Sequence, residues 1–112
     1  MTMDDLLREA VMRKASDLHI TIGVPPILRI NGSLKHMDYP ALMPQDTDRL
    51  LSEITSPEQR DNFYQSGELD ASYALAQVSR FRVNAFRQRG ATALVLRVIA
   101  EKVPTMDQLG HP

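Results

Sequence analysis

Polar and apolar positions alternate along this chain with two different periods, and each change of period marks a new element. Between Asp4 and Lys14, Leu6, Leu7, Ala10 and Val11 recur at helical spacing behind Asp4, Asp5 and Glu9. Arg13 and Lys14 close that segment, where the helix dipole favours cations, so an amphipathic helix is predicted. The period then shortens to two. Ser16 to Ile22 puts Leu18, Ile20 and Ile22 on one face, the signature of a half-buried strand, and Gly23-Val24-Pro25-Pro26 breaks it. Ile27 to Ile30 and Ser33 to Met37 flank Asn31-Gly32. Both residues of that pair tolerate positive φ, so the segment is predicted to be a hairpin closed by a type I′ turn.

After a loop carrying Pro40 and Pro44, Leu50, Leu51 and Ile54 form a helical stripe over Gln45 to Ile54. Ser56-Pro57-Glu58-Gln59 reads as an N-cap, a proline in the first turn and an acid beside it, with the helix ending at Ser66-Gly67. Three strands follow. Leu69, Ala71, Tyr73 and Leu75 alternate with polar or small residues, and Phe81, Val83 and Ala85 alternate with Arg80, Arg82 and Asn84. Ala91 to Ile99 is nearly continuously apolar, as expected of a strand covered on both faces. The order helix, three strands, two helices, three strands makes the class α+β, with a mostly antiparallel sheet of about six strands. Val103 to Pro112 reads as a linker, which puts one domain at residues 1–103 and the linker at 104–112.

Composition narrows the chemistry. At 112 residues the chain is long enough for one domain, which buries roughly 65% of its unfolded surface without staples. It has no cysteine, which excludes disulfides, thiol catalysis and iron–sulfur clusters. No apolar stretch reaches the ~20 residues needed to span a bilayer as a helix. The formal net charge of −1 hides an asymmetry. Residues 1–78 carry seven basic and twelve acidic side chains, whereas residues 79–112 carry six and two. Five of those six are arginines, namely Arg80, Arg82, Arg87, Arg89 and Arg97.

Catalytic candidates are few. The five glycines stand alone, and none opens a helix before Lys-Ser or Lys-Thr, so a phosphate-binding loop is absent. Asp17 and His19 share a strand face and form a conceivable metal or acid–base pair, although a strand histidine is ordinarily structural. His36 and His111 are isolated. Glu68 and Asp70 share a face and resemble a carboxylate pair, but beside the arginines they read first as salt-bridge partners. No metal site and no nucleic-acid surface is predicted, the latter because the net charge is slightly negative and aromatic residues are scarce.

The arginine hairpin is the sharpest signal. Arg80 and Arg82 point to one side of their strand. A four-residue turn at Arg87-Gln88-Arg89-Gly90 gives a pairing parity that sets Arg97 on the same face, opposite a residue near Arg80 or Arg82. Clustered guanidiniums repel unless carboxylates or a polyanion sit among them, and their planar fork suits phosphate oxygens. Charge alone leaves internal pairing and anion binding open.

Taken in order, Ala15-Ser16-Asp17-Leu18-His19-Ile20, Gly23-Val24-Pro25-Pro26, Leu28-Arg29-Ile30-Asn31-Gly32, the run Arg80 to Gly90 and Leu94 to Ile99 resemble the PilT-type twitching-motility ATPases, part of the wider group of secretion-type AAA+ ATPases. The resemblance runs from about Met3 to Gly110. It implies a PAS-like N-terminal domain that precedes a RecA-like ATPase domain in a longer protein. It also implies a homohexameric pilus-retraction motor on the cytoplasmic face of the inner membrane, working with a membrane platform protein. ATP and magnesium would be bound by the missing domain, with no cofactor held by this chain. By the same resemblance Arg82 and Arg97 would reach the nucleotide phosphates, with Arg80, Arg87 and Arg89 as secondary candidates, and this chain alone would not be an enzyme. Small-ligand sensing in a PAS-like pocket and pure subunit interaction are the rival expectations. Leu69, Tyr73, Phe81 and Val83, however, read as ordinary packing rather than as a polar pocket.

Overall fold

The computed structural model describes residues 1–99; the linker expected at 104–112 lies outside the described residues. The elements are α1 (Met3–Met12), β1 (Asp17–Ile20), β2 (Ile27–Ile30), β3 (Ser33–His36), α2 (Pro44–Glu53), α3 (Pro57–Ser66), β4 (Glu68–Leu75), β5 (Ser79–Gln88) and β6 (Ala91–Ile99). The six strands form one sheet in the order β3-β2-β1-β6-β5-β4, and every neighbouring pair is antiparallel. The expected α+β class therefore stands, with a sheet that is wholly antiparallel. One long connection matters most: β1 pairs with β6, bringing the start of the chain beside residue 97.

Local chemistry explains most element ends. Thr2 Oγ1 accepts from the Asp5 amide at 3.1 Å and caps α1. Ser56 and Gln59 cap α3 reciprocally, with Pro57 in the first turn, and Gly67 ends it at φ 87°. Asn31 and Gly32 take φ 51° and 80°, the values of the predicted type I′ turn. α2 starts one residue earlier than its apolar stripe suggests, because Pro44 occupies the first turn and the Met43 amide donates to Asp46 Oδ2 at 2.8 Å.

The three helices supply the apolar side chains of one sheet face. Met3, Leu6, Leu7 and Ala10 of α1, Leu50 and Leu51 of α2 and Phe63 of α3 join Leu18, Ile20, Leu28, Phe81, Val83, Ala85, Leu94 and Leu96 in one buried cluster. Polar clasps tie the helices down. The Met3 amide donates to Glu53 Oε1 at 2.7 Å, the Tyr73 hydroxyl to Asp4 Oδ1 at 2.7 Å, and the Thr92 hydroxyl to Asp48 Oδ1 at 2.6 Å. Burial and the Asp4 carboxylate together push the Tyr73 hydroxyl up to about 12.

The opposite face carries the other half of the alternation and, among the described residues, no helix. This corrects the expectation that β6 is covered on both sides. Ala91 and Ala93 on that face are buried, but Val95 is only half-buried and Arg97 and Ile99 are exposed. The apolar run at Ala93-Leu94-Val95-Leu96 therefore reflects small and β-branched residues facing an open sheet surface, not a second helical layer.

Candidate functional site

The open face gathers the arginines that the sequence singled out. Register places Arg82 directly opposite Arg97 on adjacent strands, so the two side chains rise from the same face. The turn that sets this register is shorter than expected. Gln88 pairs with Ala91, leaving Arg89-Gly90 as a two-residue turn at φ 55° and 77°. The two-residue and four-residue loops share a parity, so the expected placement of Arg97 survives the correction.

Two like charges facing each other on neighbouring strands repel, and a carboxylate on each flank offsets this. Across β1 and β6 Arg97 stands opposite Asp17, and across β1 and β2 the same aspartate stands opposite Arg29. Arg97 Nε donates to Asp17 Oδ1 at 3.4 Å, while Arg29 Nε lies 3.8 Å from Asp17 Oδ2. The Asp17 side chain is 11% exposed against 74% for Arg97. Its Oδ2 also accepts from the Ser16 hydroxyl at 2.8 Å. On the other flank Arg82 holds Asp70 with two bonds, Nε to Oδ1 at 3.4 Å and Nη2 to Oδ2 at 3.0 Å. That fork keeps the Asp70 carboxyl below its ordinary range and raises Arg82 further. Arg82, Asn84, Val95 and Arg97 line a shallow hollow of about 190 Å³.

The remaining candidates divide. Arg80 shares the face of Arg82, stands opposite Ile99, and forms no ion pair among the described residues. Arg87 points to the helix side, with its guanidinium 5.9 Å from the Tyr64 ring centre, and Nη2 donates to the Gly90 carbonyl at 2.8 Å. Arg89 sits in the turn itself. Neither Arg87 nor Arg89 lines the hollow formed by Arg82 and Arg97.

Asp70 is the salt-bridge partner expected from the sequence, whereas Glu68 pairs with no base among the described residues. Asp17 does not act with His19. Its carboxylate is committed to Ser16, Arg29 and Arg97, and His19 Nε2 is buried without a hydrogen-bond partner among the described residues. Sequence reasoning missed Asp17 as an arginine partner, because only the pairing of β1 with β6 brings positions 17 and 97 together. The alternating acid in Ser16-Asp17-Leu18-His19 was the available signal.

No family model matches the chain. Among known proteins it is 37% identical over 98% of its length to the type IV pilus retraction ATPase PilT of Pseudomonas aeruginosa, covering 32% of that protein. It is 35% identical over its whole length to the type IV pilus ATPase PilU of the same organism, covering 29%. A twitching motility protein of Neisseria gonorrhoeae is 28% identical over 96% of the chain. The chain thus spans about a third of the length of the curated relatives it matches. Among solved structures, the pilus retraction motor PilT with bound ADP superposes with a TM-score of 0.84 at 37% identity, over the whole chain and 33% of that structure. The Legionella pneumophila ATPase DotB gives 0.77 at 26% identity over the whole chain and 33% of its own.

Proposed function

We propose that this chain is the N-terminal domain of a PilT-type ATPase and that it supplies Arg82 and Arg97 to the phosphates of a nucleotide held by the ATPase domain of the longer protein. The observation that carries the reading is the direct opposition of these two arginines on a sheet face that no helix covers among the described residues. Both side chains are more than half exposed, at 63% and 74%, and they line one hollow. A planar fork matches phosphate oxygens with two parallel bonds, and charge developing on a transferred phosphoryl group is stabilised by such donors. The contact is made within one chain or across a subunit boundary of a hexameric ring. In this reading the domain itself carries no catalytic group, and magnesium and ATP are held elsewhere in the protein. The assembly works in pilus retraction at the cytoplasmic side of the membrane, against a platform protein. Among the described residues no helix is long and apolar enough to cross a bilayer.

The test is steady-state turnover of the full-length ATPase with Arg82→Ala or Arg97→Ala. Each substitution is expected to lower turnover at least ~10-fold, in keeping with a lost charge-stabilising donor. Because both side chains are exposed, the domain is expected to remain folded. Turnover that matches the parent protein refutes the assignment.

A further inference from the structure

Two acidic residues flank the arginine pair, and their surroundings differ sharply. Asp17 sits on β1, between β2 and β6, in the interior of the sheet. Its carboxylate is nearly buried and holds bonds from Ser16 and Arg97 with Arg29 close by. The backbone on which it stands is pinned from both sides: the Ser16 amide donates to the Arg29 carbonyl at 2.8 Å, and the Val98 amide donates to the Ser16 carbonyl at 2.9 Å. Asp70 stands on β4, an edge strand, with a side chain 57% exposed and no partner besides Arg82 among the described residues.

The two arginines also engage their partners through different atoms. Arg97 reaches Asp17 with Nε alone, so its terminal nitrogens keep their donors for another ligand. Arg82 gives Asp70 both Nε and Nη2, so a carboxylate already fills one of the two edges on which its fork can take a phosphate bidentately. A phosphate that approaches the hollow therefore meets one arginine already aimed and one already occupied.

Resting on the reading of Arg82 and Arg97 as phosphate contacts, we infer that the two carboxylates act in opposite senses. Asp17 is a positioning residue that aims Arg97, and Asp70 is a competing anion that a phosphate displaces from Arg82. Charge alone makes a different forecast. If both carboxylates merely lower the local positive potential, removing either one tightens anion binding, and exchanging Asp17 for glutamate changes little. If Asp17 aims Arg97, glutamate keeps the charge but moves the carboxylate by one methylene, and the bond to Nε is lost.

The experiment uses this chain, labelled with ¹⁵N and titrated with sodium tripolyphosphate at constant ionic strength, with the Nε–Hε resonances of Arg82 and Arg97 as the readout. In the native chain both resonances are expected to shift together. Asp70→Asn is expected to lower the apparent Kd about two- to five-fold, the range that loss of an exposed ion pair allows. Asp17→Glu and Asp17→Asn are each expected to raise it by at least about three-fold, with the loss concentrated in the Arg97 resonance. Binding by either folded Asp17 variant that equals or exceeds the native chain overturns the positioning role. An Asp70→Asn chain that binds no tighter overturns the competition. If both outcomes occur while the native resonances still saturate, the phosphate reading survives and this inference falls. If no protein shows a saturable shift at either arginine, the phosphate reading falls and takes the inference with it. Should both Asp17 variants unfold, ¹⁵Nε relaxation of the native chain decides: Arg97 is expected to be more ordered than Arg82 and Arg80, and equal mobility of the three overturns the positioning role.

Discussion

Replacing Gly32 by valine isolates one backbone conformation and gives a measurable stability loss. Gly32 sits at φ 80°, and a Cβ placed there meets nothing within 4 Å. No steric collision therefore adds to or masks the effect, and the whole cost is that of forcing a branched L-residue into the left-handed region. That cost is about 1–2 kcal/mol. The turn joins β2 to β3, whose four residues are all exposed, so little packing at that end of the sheet compensates. A domain of this size has a urea m-value of about 1–2 kcal/mol/M, and the midpoint is expected to fall by roughly 1 M with m unchanged. Far-UV circular dichroism against urea measures it. Asn31→Gly provides the control, because Asn31 already occupies φ 51° and glycine relaxes that position; its midpoint is expected to stay within a few tenths of a molar. A Gly32→Val midpoint equal to that of the native chain refutes the assignment of a type I′ turn.

Phe63 is fully buried where α3 meets the core, so Phe63→Ala is expected to cost about 3–5 kcal/mol by urea titration, a large share of a typical domain's stability. The Tyr73 hydroxyl is pushed up to about 12, above its unfolded value near 10, so the fold binds that proton more tightly than the open chain. Stability from this group is complete below pH 10 and is lost as pH rises through 12, and Tyr73→Phe is expected to flatten that alkaline decline in thermal melts. The difference in tyrosinate absorbance between the native chain and Tyr73→Phe is expected to place the Tyr73 ionisation at about 12, and ionisation near 10 contradicts the bond to Asp4.

The parts of this fold that were legible in the sequence are those set by local chemistry. Asn31-Gly32, Ser56-Pro57 and Gly67 each specify a backbone conformation or a cap through their own side chains, and each element boundary they mark is present. Alternation read the faces of β1, β4 and β5, and turn parity then set Arg97 on the face of Arg82. The two-residue turn preserved the parity even though its length was misjudged. What stayed hidden depends on contacts distant in sequence. Asp17 and Arg97 are 80 positions apart, and nothing in either segment announces that β1 lies against β6. The apolar run of β6 misled for a related reason: Val95 and Ile99 face an open surface that local pattern does not distinguish from a covered one. Arg87 was grouped with the other arginines by composition, yet the odd position places it on the helix side against Tyr64.

The proposed contact of Arg82 and Arg97 with the transferred phosphate can be read by phosphorus NMR of the full-length protein bearing a slowly hydrolysed ATP analogue. The γ-phosphorus resonance is expected to move when Arg82 or Arg97 is replaced by glutamine, and to stay in place in Arg80→Gln, on the same face but outside the hollow. A γ-phosphorus resonance identical in all four proteins contradicts it.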